Sequence, residues 1–168
     1  AALDEQIAAL LHDISHTAFS HVIDYVFDGH LEQSYHEAHK ESFMASTAVP
    51  QILSERGYDW KDFLHEENYA LLEQPAPALC ADRLDYFLRD SLDLGLSSYA
   101  DIQQALVHLV VQDGRIVVDD LPVARWLGLT FLQADQASWA NFREVGLYEI
   151  TAQAIRYGIE IGAISETD

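Results

Sequence analysis

At 168 residues, nearly half of them hydrophobic (49%), the chain has enough length to bury a real core as one domain, and no run approaches the eighteen or more apolar residues of a membrane span. Nine basic residues against 28 acidic ones give a net charge of −19. Such a surface repels phosphate backbones and argues against polynucleotide partners. It leaves room for a small anionic substrate, because a metal ion and one or two arginines reverse the field locally. The single cysteine, Cys80, excludes an internal disulfide and suits a reducing, cytoplasmic setting, where a buried small hydrophobe is its expected role.

The chain opens at Ala1 in what already reads as helix, so we expect a piece of a longer protein, trimmed at the front. Residues 3–12 form the end of that helix and deliver His12 and Asp13. In the next stretch Leu10, Leu11, Ile14, Phe19, Val22, Ile23 and Val26 recur at three- and four-residue steps, which predicts helix. Ser15 marks a turn, Ser15 or Thr17 caps the following helix to about Phe27, and Asp28-Gly29 stops it. Residues 30–35 read as loop, and a helix then runs from Tyr35 to about Val49. Pro50 opens a short helix to Glu55, and residues 60–73 hold one or two more. Pro75-Ala76-Pro77 precedes a long helix over about 78–92, and Tyr99–His108 is helical. The β-branched runs 109–111 and 116–118 around Asp113-Gly114 predict a hairpin. Pro122 opens a helix to about Ala140, and residues 144–164 form a last amphipathic one.

Within this frame, three histidines and two aspartates (His12, Asp13, His16, His21 and Asp24) fall within thirteen residues. Such side chains are costly near a core unless each finds a partner. Packed this closely, imidazoles and carboxylates are what a divalent metal or a proton-transfer site needs. His36 and His39 share a helix face at ligand spacing, although two surface histidines would look the same. Asp82, Asp85 and Arg89 also share a face; taken alone they describe a solvated charged stripe with an ordinary Asp85–Arg89 pair.

The run His12-Asp13-Ile14-Ser15-His16, followed by Ser20-His21 and Asp24, resembles the HD superfamily of metal-dependent phosphohydrolases, and most closely its deoxynucleoside triphosphate triphosphohydrolase branch. Ser15 stands where that pattern has glycine. A second block, Asp82-Arg83-Leu84-Asp85-Tyr86-Phe87-Leu88-Arg89-Asp90, resembles that branch's Asp-x-x-Asp-Tyr-x-x-Arg-Asp segment. The resemblance covers residues 1–96 well and the rest loosely. It implies a mainly α-helical HD-type bundle with a small β-hairpin, one domain over residues 1–168. Residues 1–96 bear the motifs, and 97–168 supply the hairpin and C-terminal helices.

The resemblance also implies roles. His12, Asp13 and Asp82 are metal ligands, and a fourth ligand, a histidine, belongs to a helix upstream of Ala1. The ion is divalent, and manganese, iron, magnesium, nickel and zinc all suit such ligands. His16 stabilises charge on, or protonates, the leaving oxygen; Asp24 orients His16; His36 contacts phosphate, with His39 the second candidate for that place. His21, Tyr86 and Asp90 hold the sugar, and Arg89 steers phosphate or pairs with Asp85. The implied activity is hydrolysis of a phosphate ester or anhydride of a nucleotide, or a similar small phosphorylated metabolite, by a metal-activated water. The competing reading is a non-catalytic nucleotide-sensing or scaffolding HD domain. An acidic surface with exposed aromatics is also compatible with a homodimer.

Overall fold

The most regular helical pattern in the chain lies after the Pro75-Ala76-Pro77 punctuation. There Leu84, Phe87, Leu88 and Ser91 recur at three- and four-residue steps, and in the computed structural model they form the buried face of a helix over Ala81–Asp93. The structure describes residues 2–27, 29 and 35–165. Among them are eight α-helices and one two-stranded antiparallel hairpin, so the chain is mainly helical, as its sequence implies. The α-helices are α1 (Leu3–Leu11), α2 (Val22–Val26), α3 (Tyr35–Ala45), α4 (Val49–Ser54), α5 (Ala81–Asp93), α6 (Tyr99–Val107), α7 (Leu121–Ala137) and α8 (Phe142–Glu160). Short 3-10 turns occupy Trp60–Phe63 and Glu66–Asn68. Among the described residues, no helix is long and apolar enough to cross a membrane.

The chain packs as two compact units. One comprises Ala1–Leu11 and His65–Asn141, the other His12–Leu64 and Phe142–Asp168. In the first unit Leu84, Phe87 and Leu88 of α5 pack with Ala105 of α6 and with Val123, Leu127 and Ala134 of α7. Cys80 is fully buried, as a small hydrophobe would be. Strands β1 (Leu109–Gln112) and β2 (Arg115–Val118) pair in the register Leu109↔Val118 to Gln112↔Arg115. The two loop residues, Asp113 at φ 51° and Gly114 at φ 73°, take the left-handed conformations a tight hairpin needs.

Helix α6 begins with a reciprocal capping box. Asp101 N–H donates to Ser98 Oγ, and the Asp101 carboxylate accepts from Ser98 N–H at 2.9 Å and from its hydroxyl at 2.6 Å. The Ser98 hydroxyl above all, and then its backbone N–H, hold the Asp101 carboxyl below its usual range. A carboxyl depressed in the folded state adds stability above its unfolded value and loses it as pH falls through its folded value. The thermal midpoint of Asp101→Ala is therefore expected to lie below wild type near neutrality and to converge with it in acid. A gap that stays constant across that range would show that the carboxylate charge contributes nothing.

In the second unit, α2 packs against α8. Val22 and Val26 meet Ala152, with Ile23, Tyr25, Ile155 and Ile159 around them. Helix α3 buries Lys40 and Met44, and Leu53 and Phe63 are buried in the same unit. One expectation needs correction here. The helix expected to run from Ser15 or Thr17 to about Phe27 is only the five residues of α2, and turns occupy residues 12–15 and 18–21. Ser20 adopts φ 49°, which a right-handed helix cannot include. Neither expected cap forms: Thr17 Oγ1 donates instead to Ser20 O at 3.4 Å, and the buried Ser15 hydroxyl has no hydrogen-bond partner among the described residues. Helix α3 also ends at Ala45 rather than near Val49, and α8 at Glu160 rather than Ile164, where Gly162 at φ 70° turns the chain. The stop expected at Asp28 and the loop over 30–34 lie outside the described residues.

Candidate active site

The turns that interrupt the expected helix bring the polar residues together. Residue 12 leaves the end of α1, and the tight turn over 12–15 sets two imidazoles on one carboxylate. His12 Nε2 lies 3.2 Å from Asp13 Oδ2, and His16 Nε2 lies 3.3 Å from Asp13 Oδ1. These hydrogen bonds, first from His12 and then from His16, hold the Asp13 carboxyl far below the usual carboxylate range despite its partial burial. The shift favours the ionised carboxylate of Asp13.

A second contact holds the other nitrogen of His16. Nδ1 lies 2.9 Å from Ser20 Oγ. If Nε2–H donates to Asp13, Nδ1 is left to accept from the Ser20 hydroxyl. The left-handed Ser20 that shortened the helix thus supplies the second tether of this ring. The first turn of α3 brings His36 over it: the two imidazoles stack at 4.0 Å between centroids and 27° between planes. His21 meets His16 edge-on at 5.1 Å and His36 at 5.8 Å.

Asp24 is 2% exposed and is held from two sides. Its Oδ2 lies 3.4 Å from His21 Nδ1, and its Oδ1 accepts the Tyr35 N–H at 3.0 Å. The resemblance assigns Asp24 to orienting His16; the ring its side chain meets is His21, which lies edge-on to His16. His39 also departs from expectation. Its Nδ1 lies 2.8 Å from Tyr35 O, and its ring stacks on Tyr35 at 4.2 Å, so it joins a separate aromatic pair.

The remaining candidates belong to α5, in the first unit. Asp82 stands in its first turn and is half-buried. Tyr86 and Asp90 both engage Trp139. The Trp139 Nε1–H donates to Asp90 Oδ2 at 2.9 Å, and the Tyr86 ring meets the Trp139 ring edge-on at 5.0 Å. Burial pushes the Tyr86 hydroxyl upward. Arg89 donates to Asp85, and both are exposed on the rim of a mostly apolar cavity of about 440 Å³ walled by α5, α6 and the hairpin.

Three groups are not announced by the sequence in their roles: Ser20 and the Tyr35 amide in the second unit, and Trp139 in the first. Ser20 lies inside the recognised run, but the run does not show that its hydroxyl meets His16 Nδ1. The other two act on aspartates eleven and 49 residues away, and nothing local announces them.

The donors of the second unit fit a divalent ion. Asp13, His16 and His36 each offer a ligand atom, and these atoms lie within 4.8 Å of one another. Two imidazoles and an ionised carboxylate suit several first-row divalent metals.

A mainly helical chain with such a centre has donors for a divalent ion and imidazoles placed for proton transfer. The chain is similar to the metal-dependent phosphohydrolase cns2 of Cordyceps militaris, at 41% identity over 172 residues covering 99% of the chain and 50% of that protein. It is similar also to the uncharacterized protein YdhJ of Bacillus subtilis, at 40% identity over 167 residues covering 99% of the chain and 51% of that protein. The chain thus spans about half the length of these curated relatives. No family model matches it, and no solved structure matches it significantly.

Proposed function

We propose that the chain carries the catalytic centre of an HD-type, metal-dependent phosphohydrolase acting on a nucleotide or a similar small phosphorylated metabolite. The observation that carries this reading is the ionised Asp13 between His12 and His16, with His36 stacked on His16. The likeness to a protein named as a metal-dependent phosphohydrolase supports it. The nucleotide rests on the resemblance of residues 12–24 and 82–90 to the triphosphohydrolase branch, and the lone cysteine supports a cytoplasmic setting.

His12 and Asp13 would hold the ion, with Asp82 as the third ligand by the same resemblance. A divalent ion supplies Lewis acidity, lowering the pKa of water and polarising a phosphoryl oxygen. The protein's own groups do the rest. The Nε2–H of His16, held by Asp13 in the resting site, would pass to the leaving oxygen, and His36 stacks beside it to meet the phosphoryl group. Asp24 keeps the Nδ1 proton of His21 in place, leaving Nε2 of His21 to accept from a substrate hydroxyl. In a second reading Asp13, His16 and His36, whose ligand atoms lie within 4.8 Å of one another, hold the ion themselves.

Elemental analysis of the protein and of Asp13→Ala, alongside phosphate release from nucleotides and sugar phosphates, tests the proposal. We expect bound divalent metal and released phosphate in the wild type, and loss of both in Asp13→Ala. A protein that binds nucleotide without turnover, with or without metal, would instead be the sensing or scaffolding domain.

A further inference from the structure

We infer that the exposed face of the His39 ring is a stacking platform for the planar base of the substrate, which makes His39 a specificity-determining residue. This rests on the phosphohydrolase reading and adds to it what recognises the part of the substrate that does not react.

Three rings form a column at the start of α3. Phe27 lies on Tyr35 at 5.2 Å with 9° between planes, and Tyr35 lies on His39 at 4.2 Å with 24°. The His39 ring is locked twice, by that stack and by the 2.8 Å approach of its Nδ1 to Tyr35 O. One face of the ring is covered by Tyr35, and the residue is nevertheless exposed. The open face is therefore held in a fixed plane before anything binds, and a rigid π surface is a sequence-tolerant partner for a nucleobase.

Its position suits the task. Residues three apart on a helix carry Cβ atoms about 5–6 Å from each other. His39 thus stands beside His36, whose ring stacks on His16 at the catalytic cluster. A phosphoryl group at His36 and a planar group on His39 would be separated by roughly one sugar. Tyr35 ties the two together, since its ring carries His39 while its N–H is held by Asp24.

The ligand class is therefore a phosphate ester bearing a flat aromatic base, and an aliphatic sugar phosphate should bind less well. Calorimetric titration of the protein with a nucleoside monophosphate and with ribose 5-phosphate reads this directly. We expect tighter binding of the nucleotide in the wild type. In His39→Leu that preference should fall about 10- to 100-fold, the range of one base stacked on one ring, with ribose 5-phosphate unaffected. His39→Phe, which restores a flat ring without imidazole nitrogens, should restore the preference. Equal binding of the two ligands by the wild type, equal losses for both in His39→Leu, or failure of His39→Phe to rescue would each overturn the inference. Base-selective binding without phosphate release would leave the platform standing and remove the phosphohydrolase. Turnover of sugar phosphates and nucleotides alike would do the reverse.

Discussion

His16→Ala is expected to lower the rate of phosphate release about a hundred- to ten-thousandfold, the usual worth of a positioned general acid or base, and to leave bound metal unchanged. Three contacts hold this ring: Asp13 on Nε2 at 3.3 Å, the Ser20 hydroxyl on Nδ1 at 2.9 Å, and the face of His36 at 4.0 Å. A side chain so constrained costs little to reorganise when charge develops on the leaving oxygen. Asp13 keeps His12 as a partner after the substitution, so the ligand pair His12–Asp13 survives. Measured kcat, together with metal content by elemental analysis, separates the two readings of this residue. Loss of metal along with turnover would move His16 into the ligand set with Asp13 and His36, and the proton-transfer role would be abandoned.

The same residues show what a sequence reveals and what it withholds. The hairpin was legible because Asp113-Gly114 between β-branched runs specifies both turn and register, and both loop residues take the expected left-handed conformations. Helix α5 was legible because its apolar positions Leu84, Phe87 and Leu88 keep the three- and four-residue steps of one helix face. Residues 12–21 carry a helical period too, yet they fold as turns. Apolar spacing reports only which residues face inward, whereas Asp13 must be met by His12 and His16, and Ser20 must return its hydroxyl to His16. The left-handed Ser20 that interrupts the helix is a feature periodicity cannot register. The histidine–aspartate cluster was visible as composition; its wiring was not. Tyr86 and Asp90 are visible as helix neighbours, but nothing in the sequence marks Trp139 as their partner. His39 looked equivalent to His36 by spacing, and the difference between them lies in which neighbouring ring each one meets.

That dependence on distant partners makes Asp24 the residue through which the fold and the centre are coupled. Asp24→Ala is expected to destabilise the protein by about 2–3 kcal/mol, read as a shift in the urea midpoint at unchanged slope. The Tyr35 N–H that Asp24 accepts is the first amide of α3, one of the donors that no helix satisfies internally. Its loss leaves that donor unpaired in a partly buried place and frees the Nδ1 side of His21 at the same time. Because His36 follows Tyr35 directly, a start of α3 that is no longer anchored also loosens the stack of His36 on His16, so turnover should fall with stability. Asp24→Asn separates the two effects. Its amide oxygen can still accept from Tyr35, and its cost in stability should stay under about 1 kcal/mol, near the worth of one ordinary hydrogen bond. What it removes is the negative charge facing His21. A drop in turnover with little change in stability would then assign that charge to the reaction; if both substitutions left the urea midpoint within the error of wild type, Asp24 would not be the anchor of α3.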